Sequence, residues 1–454
     1  VSNVNLFSET VLLPLGDFFT GRSISKCLKF LRESQYWSRE QIDDFQNQKL
    51  RELIHHSYKH VPFYHELFKD LRITPSDIQT KADLPKLPVI TKDDLKKNKA
   101  KHIASNIEKS AIISASSSGS TGEPFQYFKT RQSESFLKAA AIRGWEWMDY
   151  RLGDAYVKVS MNPRASSIKK IQDFLNNSLY LSSTKLEPVE FHKIVKAINK
   201  YNPKFIRCYP VPLSLLARQF ELEQSLYKGT NLIAINTTGS TLHERERDEI
   251  ERIFGVKVFD SYSCEGGAIF FECPDHNRYH PCEEYAIQEY LEDSFTFSNP
   301  ERPLRHITTD LHNYASPFIR YDTGDYIVID KEESCSCGRH FKNITKIFGR
   351  DSDVLKTPSG KYLIVENFVA YFEWIKEVDQ IQVLQKESDL IVIKLVVNKD
   401  FNNSILNNIQ DYWTSCIGSD VSLNLEIVDH IDLTPAGKRR TVIRSPHINI
   451  NGRY

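Results

Sequence analysis

Polar and apolar positions change their rhythm twice along the chain. Over residues 1–100 the spacing is helical: Glu40–His60 repeats its apolar positions at a helical period, and Pro62, Pro75, Pro85 and Pro88 punctuate the segments after it. From about residue 110, short apolar runs alternate with amphipathic stretches. Ala111–Ala115, Ala155–Val159, Phe205–Tyr209, Asn231–Ile235 and Val256–Phe259 read as strands. Ser133–Asp149, Pro188–Tyr201, Leu213–Leu222 and Leu242–Phe254 read as the helices between them. Strands separated by helices pack as a largely parallel sheet covered on both faces. Residues 284–348 are β-rich, with Pro and Gly between the segments. The last hundred residues have a pattern of their own: helix Val365–Ile375, strands Gln380–Gln385 and Leu390–Val397, helix Asn403–Trp413, strand Leu423–Val428. The expectation is an α/β protein. Residues 1–350 form a large lobe of helix-covered, mostly parallel sheet with a β-rich part, and residues 351–454 form a small α+β module.

The apolar stretch Val11–Phe19 is interrupted by Pro14, Gly16 and Asp17, too short to span a membrane and without a basic leader. It reads as a packed terminal segment in preference to an interfacial helix, and the expected compartment is the cytoplasm. Lys+Arg and Asp+Glu both total 59 of 454 residues, so the formal net charge is zero. That balance excludes the basic field of a protein whose main partner is nucleic acid.

Two stretches carry candidate chemistry. Ser114–Pro124 comes directly after a strand and is built of hydroxyls, small residues and two glycines, Gly119 and Gly122. Such a loop brings backbone amides and hydroxyls close to phosphate oxygens, although it lacks the Gly-Lys-Ser/Thr end of a Walker loop. Five of the eight cysteines (Cys264, Cys273, Cys282, Cys335 and Cys337) lie between 264 and 337. In a reducing compartment a cluster of this kind points to a metal before disulfides. Cys335-Ser-Cys337-Gly338 puts two thiols on one turn, and Cys273, His276, His280 and Cys282 lie upstream. Tetrahedral zinc takes four such groups.

The order of motifs resembles the adenylate-forming superfamily, in the phenylacetate–coenzyme A ligase-like branch that includes CapK-type capsule-biosynthesis proteins. Ser117-Ser118-Gly119-Ser120-Thr121-Gly122-Glu-Pro124 matches the family's phosphate loop. Thr238-Gly239-Ser240-Thr241 resembles the adenine-side segment, and Tyr262-Ser-Cys264-Glu265 the aromatic-to-acid motif, one residue shorter. Tyr321-Asp-Thr-Gly-Asp325 matches the Tyr-x-Thr-Gly-Asp motif, Gly349-Arg350-Asp351 with Gly360, Lys361 and Glu366 the hinge, and Leu433–Lys438 the catalytic-lysine segment. An early Tyr58-x-x-Val-Pro-Phe-Tyr64 pattern extends the likeness to nearly the whole chain.

The resemblance implies two half-reactions. A small carboxylic acid attacks ATP to give an acyl-adenylate and pyrophosphate, and a thiol, by default coenzyme A, then displaces AMP. Lys438 and Glu265 are the implied catalytic residues, with Glu265 on Mg²⁺. The phosphate loop, Gly239 and Ser240, Tyr262 on adenine, Asp325 on ribose and Arg350 form the implied nucleotide site. Cys273, His280, Cys335 and Cys337 are the implied ligands of a structural Zn²⁺, with His276 and Cys282 in reserve. A hinge at Asp351 makes the small module mobile. Other acceptors implied by the CapK-type branch are a carrier-protein thiol or a sugar amine in surface-polysaccharide assembly. Two departures, Cys264 for Ser/Thr and Thr241 for an acid, motivate a competing reading as a non-catalytic nucleotide-binding protein.

Overall fold

A computed structural model describes residues 2–116, 126–160, 167–182, 188–222, 229–239, 242, 244–276, 278–292, 302–330, 335–348, 355–359, 362–363, 365–372, 374–431 and 441–445. The N-terminal helices are α1 (Asn3–Phe7), α2 (Leu13–Thr20), α3 (Ile24–Ser34), α4 (Arg39–His60), α5 (Pro62–Leu71) and α6 (Lys92–Lys97). Capping is dictated by sequence: Ser38 accepts from the Gln41 amide and Gln41 answers the Ser38 amide, a capping box that starts α4. Pro62 at the first position of α5 needs no amide partner.

A hairpin comes next, β1 (Ile112–Ser116) with β2 (Gln126–Thr130), closed at Ser116↔Gln126. Ser116 and Gln126, the described residues on either side of the candidate phosphate loop, are paired. After it run α7 (Arg131–Glu146), β3 (Tyr156–Ser160), α8 (Ser167–Leu175), β4 (Ser178–Ser182), α9 (Pro188–Tyr201), β5 (Phe205–Cys208), α10 (Pro210–Leu222), β6 (Ala234–Thr238), α11 (Glu244–Phe254) and β7 (Lys257–Ser263). Then come β8 (Ile269–Glu272), β9 (Tyr279–Pro281), β10 (Ala286–Leu291), β11 (Leu304–Asp310), β12 (Tyr321–Ile329) and β13 (Ile344–Phe348).

The parallel half and the β-rich part are one sheet. Its eleven strands run in the order β10-β11-β12-β13-β9-β8-β7-β6-β5-β3-β4. The parallel character expected from the sequence holds from β4 to β7, where helices connect the strands, and the rest is antiparallel. The switch falls at β7–β8, where only five residues join the strands. A crossover cannot be made in so short a link, so the chain must turn back on itself. One face of the parallel half is sealed by Ile194, Ile198, Leu213, Phe220, Ile250 and neighbours from α9–α11. On the other face α7 packs tightly: a Cβ on Gly144 would lie 2.3 Å from the Phe271 ring, so only glycine lets that helix approach.

Residues 355–445 hold β14 (Leu355–Lys356), β15 (Tyr362–Leu363), α12 (Val365–Phe372), β16 (Val378–Glu387), β17 (Leu390–Val397), α13 (Asn403–Ile417), β18 (Ser422–Ile427) and β19 (Val442–Arg444). Four strands in the order β18-β17-β16-β19 cover a core of their own, in which Trp413 stacks on Phe368 at 4.3 Å.

The start of the chain departs from expectation. The Val11–Phe19 stretch is helical, but Val11, Leu15, Phe18 and Phe19 point to solvent, the two phenylalanines about 80% exposed. Polar anchors hold the segment instead. Asn5 donates to Leu152 O and Asp154, and buried Asp17 accepts from the Ser25 amide and hydroxyl. No described helix is long and apolar enough to cross a membrane.

Candidate functional site

The turn after β7 sets the site. Gly266 and Gly267 hold φ of 92° and 102°, and a Cβ on Gly266 would lie 2.8 Å from Tyr321. Glycine there lets the chain reverse directly against β12. Glu265 sits on this turn with the Tyr321 hydroxyl 3.5 Å from its Oε1. Three residues before Glu265, the Tyr262 hydroxyl donates to Asp325 Oδ2 at 2.7 Å. Two motifs 63 residues apart are thereby joined across the sheet. Asp325 is held from behind: its amide donates to Thr323 Oγ1, which donates to His306 O. Burial, reinforced by the Asp325 charge, pushes the Tyr262 phenol well above its ordinary pKa, so it stays a donor.

Cys264 stands where the resemblance leads one to expect Ser or Thr. Its thiol donates to Glu265 O at 3.1 Å, and burial together with the Glu265 charge raises its pKa. It is a neutral thiol spent on its own turn, not a nucleophile.

Gly239 stands at the end of β6 with φ of 89°, and a Cβ there would fall 2.1 Å from Tyr209 Cε1. The Tyr209 ring therefore covers the glycine. Sequence reasoning missed Lys129. It lies on β2, its ammonium 5.2 Å from the centre of the Tyr127 ring. Burial pulls its pKa down while Asp310, Glu134 and Glu265 oppose that pull. No signal in the sequence marks it, since a charge in a strand reads as a solvent-facing position. Ser117, Ser118, Gly119, Ser120, Thr121, Gly122, Ser240, Thr241, Arg350, Asp351 and Lys438 lie outside the described residues.

At the other end of β8 a second group gathers. Ligand atoms of Cys273, His280, Cys335 and Cys337 all lie within 4.8 Å of one another. Cys273 Sγ is 3.6 Å from Cys335 Sγ, and Cys337 Sγ is 3.3 Å from His280 Nε2. A tetrahedral zinc with ~2.3 Å bonds to sulfur separates its sulfurs by about 3.7 Å, so donor set and spacing both fit. His280 Nδ1 lies 3.2 Å from Lys342 O, which fixes the ring with Nε2 toward the thiols. Cys337 is pulled toward thiolate by Cys273 and then His280. The two reserves are elsewhere: His276 packs on Phe259 at 4.3 Å, and the Cys282 thiol donates to Glu284. The six residues from Ala268 to Cys273 span roughly 17 Å of strand, which separates this group from Glu265.

Residues 355–445 match the CapK C-terminal domain family. Protein CapK of Staphylococcus aureus is 25% identical over 411 residues, covering 88% of this chain and 89% of CapK. The phenylacetate–coenzyme A ligase of Thermus thermophilus is 23% identical over 325 residues, covering 70% of this chain and 72% of the ligase. Among solved structures, 2-hydroxyisobutyryl-CoA ligase in the postadenylation state with R3-HIB-AMP aligns with a TM-score of 0.60 at 16% identity, covering 91% of this chain and 92% of that one. The chain is a homologue of CapK and of the phenylacetate–coenzyme A ligases, and it has the fold of the adenylate-forming superfamily.

Proposed function

We propose that this protein activates a small carboxylic acid with ATP and passes the acyl group to a thiol. The observation that carries the reading is the Tyr262–Asp325 hydrogen bond beside Glu265, which joins two motifs distant in sequence into one site. A carboxylate oxygen of the acid attacks the α-phosphorus of ATP, the bond to the bridging oxygen breaks, and pyrophosphate departs. A thiolate then attacks the acyl carbon and AMP leaves with the bonding pair.

Asp325, pre-set by Thr323, accepts from ribose hydroxyls, and Tyr262 walls the adenine side. Gly239, with the Tyr209 ring lying over it, forms the adenine-side wall at the end of β6, and Lys129 lends positive potential on the phosphate side. Mg²⁺ held by Glu265 supplies charge neutralisation at the phosphates. Lys438 adds a second positive charge at the α-phosphate when the small module closes, and Arg350 binds on the ribose–phosphate side. The boundary near residue 350 and the hinge at Asp351 belong to the same reading. So does a structural zinc on Cys273, His280, Cys335 and Cys337, whose four ligands leave no open position for chemistry.

Lys438→Ala tests the assignment. Acyl-adenylate formation, measured as pyrophosphate exchange, should be lost while ATP binding measured by calorimetry persists. Wild-type exchange in the variant removes Lys438 from the mechanism. The match to the CapK C-terminal domain family supports testing a second class of acceptor. Thioester formation that requires coenzyme A supports the ligase. Pyrophosphate release indifferent to coenzyme A points to a carrier-protein thiol or a sugar amine, and no release with any acid leaves a nucleotide-binding protein.

A further inference from the structure

Arg207 lies on β5 and is charged at any accessible pH. Its strand neighbours Ile206 and Cys208 face the helix-covered core, so Phe205 and Arg207 face the opposite side, toward Trp145 of α7. There the guanidinium lies 5.1 Å from the Trp145 ring, with Nε sealed and unpartnered. The residue as a whole is partly open, and of its nitrogens only Nε is both sealed and unpartnered.

Other enclosed arginines are answered by acids: Arg143 by Glu284, Arg247 by Glu272, Arg320 by Glu289. No carboxylate among the described residues pairs with Arg207, and burial lowers its pKa against only the phenols of Tyr156 and Tyr209. The strand on one side makes the deficit worse, because Lys158 of β3 pairs in register with Arg207. On the other side Asn236 of β6 spends its amide on Phe259 O and the Ser261 hydroxyl. An unpaired buried charge is strongly unfavourable, and an anion placed beside it relieves part of that cost.

Position identifies the anion. In open α/β sheets ligands enter at the carboxyl ends of parallel strands. Tyr209, two residues past Arg207, covers Gly239 at that end. Arg207 thus lies about 6–7 Å deeper than the place where the nucleotide and the reacting carboxylate meet. A fixed cation on the reacting carboxylate would stabilise charge that the attack must give up. One on the far end of the acid is free of that conflict.

We propose that Arg207 receives a second carboxylate at the distal end of the activated acid, so that the substrate is a dicarboxylic acid. The inference rests on the ligase reading above and narrows its substrate class. Calorimetry is run with Mg²⁺ and α,β-methylene-ATP, which cannot release pyrophosphate, titrating succinate, glutarate, adipate and isophthalate against butyrate, pentanoate, hexanoate and benzoate. At least one diacid should bind tenfold or more tighter than its matched monoacid. Arg207→Met should erase that preference, and Arg207→Lys should keep part of it. Because Arg207→Met replaces an unpaired charge by an apolar chain of similar length, its melting temperature should not fall. Should it fall nonetheless, wild type and Arg207→Lys still decide.

Equal affinities in the wild type, no binding of either class, or a preference that survives Arg207→Met overturns the proposal. Pyrophosphate exchange on the same acids separates the two readings. A diacid preference in binding with no exchange on any acid removes the ligase and leaves Arg207 an anion site. Exchange on monoacids without a diacid preference does the reverse.

Discussion

His102 and His306 are buried to 2% and 0% exposure, and each is held neutral by its surroundings. Burial lowers His102 to about 4, against the opposing bond to Pro317 O, and lowers His306 to about 3. An unfolded histidine takes its proton near pH 6.5, so below that pH the unfolded chain binds protons the folded chain refuses. Their stabilising contribution is complete above pH 6.5 and is lost as pH falls toward 4. For His102 the loss reaches about 3 kcal/mol. Asp260 works in the opposite direction, since burial raises its carboxyl to about 7 and favours the folded state in acid. Melting curves of wild type and His102→Gln between pH 7.5 and 4.5 isolate the histidine term. The Gln variant, whose amide can still donate to Pro317 O, should lose less stability over that range. Parallel pH profiles would mean that His102 protonates equally in both states. At this scale Tyr262, Glu265 and Asp325 were legible because motif spacing marks them. Arg207 and Lys129 were not, because a charge in a strand reads as a solvent-facing position until the face it occupies is known.

Element boundaries show which signals carry. Pro188–Tyr201 and Leu390–Val397 fall where the apolar period places them. β6 runs Ala234–Thr238, three residues past the expected Asn231–Ile235. Its second half is polar but paired: Thr237 donates to Asp260, and the Thr237 carbonyl accepts from Ser261. Hydrophobic pattern cannot register a strand whose side chains bond sideways. The Val11–Phe19 stretch fails for the converse reason, since apolar residues at helical spacing imply a buried stripe, and here the stripe is outside. Burial predicts the outcome of two substitutions. Trp413→Ala, in the core of residues 355–445, should cost about 3–5 kcal/mol in a denaturant titration. Phe18→Ser with Phe19→Ser should change stability by less than about 0.5 kcal/mol each, as expected of surface sites. A large loss from the phenylalanine pair would show that their face is covered in solution.

At the scale of the molecule, the eleven-stranded sheet puts the Glu265 turn and the Cys–His group at opposite ends of one strand, β8. Protein dialysed in metal-free buffer should retain about one zinc per chain. Cys335→Ser should lose it together with stability, since binding energy at such a site is folding energy. Metal-free protein that melts and reacts as before would end the assignment. The geometry of that group also bears on the chain before it folds. Cys273 and Cys335 are 62 residues apart, and β10, β11 and β12 all lie between them. An ion bridging the two ends ties those strands into a closed ring in the unfolded chain. The entropy removed by such a cross-link is worth about 4 kcal/mol on a loop of this length. Asp325 rides inside the ring, on β12. Removing the ion should therefore speed amide hydrogen exchange along β11 and β12, loosening the wall that carries Asp325 from a point that never meets the nucleotide.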